Sequence, residues 1–280
     1  DMLAYAGIGV AMGNATAEPK AAADYMERAI FNHILGQQDT QTGMVTYFTP
    51  LLTGAYRLYS TPMNSFWCCV GSGFESHVGY ASYIYFHTDT DLYVNLFIPS
   101  EVTWGGTTVR QETDFPRSGT VILTVGGEAK EFAMHLRRPW WAVSMAVRIN
   151  GKKVKLGKGD AVLKRKWRSG DRVEVTYGME LREEAVGGDP SRVALMYGPV
   201  VIAGCLGHVD SPFSDPTKHN DYYTFDYQVP ASVAEKARIK GASELVKTGP
   251  LTFRTRQGVE VKPFYDVHHE RYVVYWNKTE

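Results

Sequence analysis

The sequence predicts a mixed, mainly β chain in which a short helical part precedes a long run of strands. Apolar residues recur at helical spacing up to about residue 87 and at a spacing of two from Leu92 onward. Seventeen tyrosines and six tryptophans suit β-structure first and sugar stacking second. Short apolar runs separated by polar turns read as a β-sandwich.

At 280 residues the chain has room for two domains, and 44% hydrophobic residues are enough for a core. Thirty Lys and Arg balance thirty Asp and Glu, so the overall charge gives no nucleic-acid or anionic-membrane footprint. No apolar run reaches the roughly 18 residues of a membrane span. No signal peptide opens the chain, which starts at Asp1 in mid-motif and reads as a piece of something longer. Compartment and oligomeric state are left open.

Taken in order, Ile8-Gly9-Val10-Ala11-Met12 reads as a short apolar strand ended by Gly13-Asn14. Residues 21–38 form a helix candidate, with Tyr25, Ala29, Ile30, His33 and Ile34 at helical spacing. A polar turn over 39–43 leads to extended Thr46-Tyr47-Phe48, stopped by Pro50. The loop 52–64 holds Gly54 and Pro62 and is irregular. Ser72-Gly73-Phe74-Glu75 reads as a capping box opening a helix whose apolar stripe is Phe74, Val78, Ala81 and Tyr85.

Leu92, Val94, Leu96 and Ile98 then alternate as a strand. Further strands are expected at 107–111, 119–125, 131–136, 162–167 and 172–177, and Asn150-Gly151 is a hairpin turn. A second β region opens at Val193-Ala194-Leu195-Met196-Tyr197-Gly198-Pro199 and runs through a polar, aromatic insert (208–227) to Tyr272-Val273-Val274-Tyr275-Trp276.

Cys68 and Cys69 sit side by side just before the capping box. A helix N-terminus favours anions, and a thiol of ordinary pKa about 8.5 is pushed toward thiolate there. Three readings compete: two thiols packing a helix start, a strained vicinal disulfide, or a zinc-thiolate site with one sulfur as nucleophile. Zinc wants about four ligands, or three and an open position. The pair supplies two, and Cys205 lies far off in a strand-like context.

Phe66-Trp67-Cys68-Cys69-Val70-Gly71-Ser72-Gly73-Phe74-Glu75-Ser76-His77 resembles the signature of β-L-arabinofuranosidases of glycoside hydrolase families 127 and 146. Thr46-Tyr47-Phe48-Thr49-Pro50-Leu51, Tyr59-Ser60-Thr61-Pro62 and the stretch Phe264 to Tyr272 resemble the same family. The resemblance covers about residue 25 to the end. It implies the last part of an (α/α)₆ barrel at 25–88, one β-sandwich at 89–190 and a second at 191–280. It also implies Cys68 as nucleophile and zinc ligand, Cys69 as zinc ligand, and Tyr47 as a substrate-lining aromatic whose bland role is packing under the loop. The expected substrates are plant-type, arabinose-containing glycans. The implied chemistry is a retaining double displacement with a thiolate in place of the usual carboxylate, zinc helping to keep the sulfur deprotonated.

The first residues resemble something else. Asp1 to Ala15, followed by Lys20 to Tyr25, resembles the tail of a Cof-type haloacid-dehalogenase-like phosphatase over about residues 1–24. A chimeric join near Ala23 to Arg28 is expected on that ground.

The chain also departs from the arabinofuranosidase pattern. It contains no Glu-x-Cys, since Ala203 stands two residues before Cys205, and the acid/base glutamate belongs to upstream helices that this sequence does not match. The zinc site is therefore expected to be incomplete, the chain inactive alone, and its barrel fragment to expose apolar patches. The competing functions are a structural or carbohydrate-binding β-sandwich module and, from the first residues alone, a phosphatase.

Three further features invite a role. Trp140-Trp141 is read as packing, and His268-His269 as structural because successive strand residues point to opposite faces. His77, on the helix after the cysteines, is read as either supporting the site from behind or capping a neighbour.

Overall fold

The computed structural model describes residues 18–210, 212–214 and 229–279. The expected strand at 8–12, most of the phosphatase-like segment and much of the 208–227 insert lie outside them. The described chain is mixed and mainly β, and its described residues divide into two compact units, 18–27 with 79–180, and 28–78 with those from 181 onward.

The expected first helix runs as α1, Glu18–Ala29, and continues through a π-turn, Ile30–Ile34, and a 3₁₀ turn, Leu35–Gln37. No helix among the described residues is long and apolar enough to cross a membrane.

In the first unit the strands are β1 Tyr85–His87, β2 Asp91–Val94, β3 Ser100–Trp104, β4 Thr107–Thr113, β5 Thr120–Gly127 and β6 Lys130–Leu136. They continue as β7 Ser144–Ile149, β8 Lys152–Lys153, β9 Ala161–Trp167 and β10 Arg172–Gly178. One sheet has the order β1-β2-β6-β9, the other β3-β4-β5-β10-β7-β8. Alternation decides which residues go inward: Val121, Leu123 and Val125 on β5 are at most 1% exposed, as are Val173 and Val175 on β10. Trp167 and Phe132 lie inside with ring centroids 5.7 Å apart. Each such buried side chain contributes about 1.5–3 kcal/mol. Trp141 is buried, stacked on Phe115, and donates Nε1–H to Glu27 at 2.6 Å, so it packs rather than offering a sugar platform.

Sequence and structure part company after Val94. The expected strand to Ile98 stops there because Asn95, Leu96 and Phe97 are all buried, which ends the in–out alternation. Asn95 turns its carbonyl to Arg137 Nε at 2.7 Å instead of to a neighbouring strand.

The second unit is built on β11 Leu181–Val186, β12 Asp189–Tyr197 and β13 Val200–His208. The shorter β14 Arg238–Ile239, β15 Val246–Lys247, β16 Phe253–Arg254, β17 Glu260–Pro263, β18 Glu270–Val273 and β19 Tyr275–Lys278 complete it. The strand order is β14-β19-β12-β13-β17-β16-β15, with β11 added on β12 and β18 on β13. Gly204 lets Trp276 lie flat on β13, since a Cβ there would come within 2.5 Å of the indole. The Asn32 side chain clamps the β12–β13 turn, donating to Pro199 O at 2.8 Å and accepting from Val201 N at 2.6 Å.

Candidate functional site

The cysteine pair lies in the second unit on helix α2, Cys68–Val78. The helix begins five residues earlier than a cap at Ser72 implies, so both cysteines are first-turn residues. Ser72 is not a cap; its carbonyl accepts a bond from Ser76 Oγ at 2.9 Å. Gly71, Ser72 and Gly73 are poor helix formers, and tertiary fit overrides them. Gly73 is buried against Gln37, whose amide would stand 3.1 Å from an added Cβ.

Cys68 is exposed and Cys69 half-buried, with their sulfurs 3.9 Å apart. They are free thiols. Burial first, and then the adjacent Cys68 thiol, push Cys69 above the ordinary thiol range. That is the reverse of what a helix N-terminus alone would do. Two thiolates on one tetrahedral zinc, at about 2.3 Å each, stand about 3.8 Å apart, so the spacing suits two positions of such an ion. No cluster of three or more His, Cys, Asp or Glu able to hold a metal exists among the described residues. Among the described residues, the pair brings two sulfurs together and no third His, Cys, Asp or Glu joins them.

The other expected residues are distributed around α2. At about 100° per residue, Val70, Phe74 and His77 share one face of the helix, and Cys69 and Gly73 another. The first face lines a cleft of about 390 Å³ with Gln38, Ser65 and Thr61. His77 is in this cleft, and burial lowers its pKa from the ordinary imidazole value. The cysteines are not among the cleft's lining residues. Tyr47 meets Trp67, the residue before Cys68, edge-on at 6.1 Å.

The loop that delivers α2 is held by residues with no pattern in the sequence. Ser65 Oγ accepts from Thr61 N at 2.9 Å and bonds Ser214 Oγ at 2.9 Å. Arg57 is buried and donates to Phe264 O at 3.0 Å and to Val267 O. His268 bonds Tyr59 OH at 2.6 Å through Nδ1, while His269 Nε2 bonds Asp39 at 2.9 Å. The two histidines thus serve different partners. Cys205 stays remote on β13, and burial pushes its thiol far up.

The first half of the expected stripe, Phe74 and Val78, is not core. Phe74 is 70% exposed and Val78 66%, and nearby Phe66 and Met63 reach 94% and 79%.

These features define a mainly β protein bearing a helix-borne dithiol, the fold of a set of glycoside hydrolases. The GH127 β-L-arabinofuranosidase from Geobacillus stearothermophilus T6 is 23% identical with a TM-score of 0.64, the match covering 93% of this chain and 46% of that one. A structure described as a glycoside hydrolase matches at 17% identity and TM-score 0.67, over 93% and 49%. A GH127 β-arabinofuranosidase matches at 19% and 0.64, over 92% and 46%. The chain thus spans about half the length of these proteins. Family models identify the GH127 β-L-arabinofuranosidase catalytic domain at residues 10–82 and the GH127 middle domain at 91–179. A domain of unknown function matches 182–278. No curated protein matches the sequence. The chain belongs to the GH127 glycoside hydrolase family, and the catalytic-domain match begins inside the segment that resembles a phosphatase tail.

Proposed function

We propose that this chain is the C-terminal part of a retaining β-L-arabinofuranosidase with a cysteine nucleophile. Residues 25–88 are the last part of its (α/α)₆ barrel, and 89–190 and 191–280 are two supporting β-sandwiches. The observation that carries the reading is the Cys68-Cys69 pair on the exposed first turn of α2, inside the matched catalytic domain, with sulfurs 3.9 Å apart. The exposed Met63, Phe66, Phe74 and Val78 support the barrel reading, since apolar side chains of that size call for neighbours.

In this reading the Cys68 sulfur attacks the anomeric carbon of an arabinofuranoside. The C–S bond forms as the C–O bond to the leaving group breaks, the leaving oxygen taking a proton from an acid/base glutamate that this sequence does not supply; water, giving a proton back to that glutamate, then displaces the sulfur with a second inversion. Cys69 would be the second thiol ligand of the zinc, Tyr47 lines the sugar site, and His77 supports the site from behind. Zinc, held in part by Cys68 and Cys69, would supply thiolate character at neutral pH. Substrates are arabinose-containing glycans of the plant type. The donor set is incomplete among the described residues, and on this reading the chain alone turns over no substrate.

Release of p-nitrophenol from the β-L-arabinofuranoside tests this. The expected result is no turnover by the chain. Turnover abolished in Cys68→Ala keeps the nucleophile and overturns the incompleteness. Turnover that survives Cys68→Ala overturns the nucleophile.

A further inference from the structure

We propose that the β8–β9 edge of the first unit is a docking surface for an anionic polysaccharide bearing uronate carboxylates. In a chain with no net charge, positive charge is concentrated between residues 148 and 172. The hairpin side presents Arg148, Lys152, Lys153, Lys155 and Lys158, all exposed. Strand β9 and the turn after it present Lys164, Lys166, Arg168 and Arg172, also exposed, with Arg165 half-buried.

The acids nearby match only part of this charge, Arg165 and Arg172 by ion pairs. Asp171 is buried, accepting from Asn150 Nδ2 at 2.7 Å and Arg168 N at 2.9 Å, with Arg165 at 3.5 Å. Asp160 accepts from Arg138 N at 2.8 Å. Glu174 takes Arg172 at 3.0 Å, and Glu131 sits opposite Lys166 in the sheet register. Among the described residues, no carboxylate forms an ion pair with Lys152, Lys153, Lys155, Lys158, Lys164 or Lys166.

The hairpin tip and the turn after β9 are tied together by Asn150. Strands β8 and β9 are each the terminal strand of their sheet. Asn150, at φ 49°, and Gly151, at φ 80°, make the hairpin turn. Asn150 Oδ1 accepts from Arg172 N at 2.8 Å, which pins the hairpin tip to the turn between β9 and β10. Edge lysines also block strand addition. That role does not account for Lys155, Lys158 and Arg168, which lie on connections where no ladder is open. Lysine's hydrated point charge suits carboxylates spaced along a flexible chain. Single-stranded nucleic acid would want exposed aromatics among the cations, and the one aromatic in the stretch, Trp167, is fully buried. The choice of a polysaccharide among polyanions rests on GH127 membership.

The test is retention of the chain on immobilised polygalacturonate, with neutral arabinan and duplex DNA as comparison matrices. Retention is expected on polygalacturonate, not on arabinan, and to weaken at least about tenfold between about 50 and 200 mM salt. K152Q/K153Q/K155Q/K158Q should lose at least about tenfold in affinity, and K236Q/K240Q/R254Q/R256Q, an equal charge loss elsewhere, less than about twofold. Far-UV circular dichroism checks that both variants fold. Equal loss in both variants, no retention, or retention on arabinan overturns the proposal. Tighter binding to duplex DNA than to polygalacturonate overturns it in favour of a nucleic acid. Retention is read without turnover, so a catalytically silent chain does not bear on the outcome.

Discussion

His269 Nε2 donates to the fully buried carboxylate of Asp39 at 2.9 Å, joining residues 230 positions apart. The same carboxylate accepts from Thr42 Oγ1 at 2.6 Å and Gln41 N at 3.1 Å, fixing the turn that precedes the cysteine loop. Burial alone would raise the pKa of Asp39, but the bonds from Thr42, His269 and Gln41 together hold it below the ordinary carboxylate value. A depressed folded-state pKa stabilises the fold above the unfolded value, near 4, and that stability is lost as pH falls through the folded value. Asp39→Asn should therefore cost about 1–3 kcal/mol at pH 7 and less below pH 4. Urea unfolding at the two pH values checks it; an equal cost at both would contradict it.

Arg137 and Glu27 form a buried ion pair at 2.6 Å, both about 1% exposed, with Trp141 also donating to Glu27 and Asp24 also bound to Arg137. Removing one partner strands a buried charge. Arg137→Met should cost about 3–5 kcal/mol in denaturant unfolding. Adding Glu27→Leu should recover part of that loss, which additive costs would refute.

Phe66 at 94% and Phe74 at 70% exposure bracket the cysteines. Their replacement by serine removes no core contact. Phe66→Ser/Phe74→Ser should lower binding of a hydrophobic-surface dye at least about twofold while moving the melting temperature by less than about 2 °C. A large drop in melting temperature would place these rings in a core.

Thiol alkylation should separate the remote cysteine from the pair. Burial holds the Cys205 thiol far above its ordinary pKa, so it should stay unlabelled in the native chain at pH 8. Cys69, raised first by burial and then by Cys68, should label slowly at pH 7 and faster as pH rises. Peptide mass mapping reads both, and rapid labelling of Cys205 would contradict the burial argument.

Much of the β part was legible because its signals are local. Strands expected at 107–111, 119–125, 131–136, 162–167 and 172–177 appear at 107–113, 120–127, 130–136, 161–167 and 172–178, and Asn150-Gly151 turns as read. The helix over 21–38 was equally plain. Around the cysteines the sequence misled. The capping box at Ser72 is a good local signal overridden by the packing of Gly73 on Gln37. The stripe of Phe74 and Val78 has helical period but does not face a core in this chain. Ser65 and Arg57, which hold the loop before α2, act through partners 149 and about 210 residues away, which no window along the chain can display.

In the proposed function, Cys68 and Cys69 are two of the ligands of a metal–thiolate site. Equilibrium zinc binding by the purified chain, with X-ray absorption to count sulfur neighbours, tests it most directly. The prediction is binding far weaker than the roughly 10–16 kcal/mol of a complete structural zinc site, two sulfurs on the ion, and loss of binding in both Cys68→Ala and Cys69→Ala. Tight stoichiometric zinc that survives either substitution would contradict it.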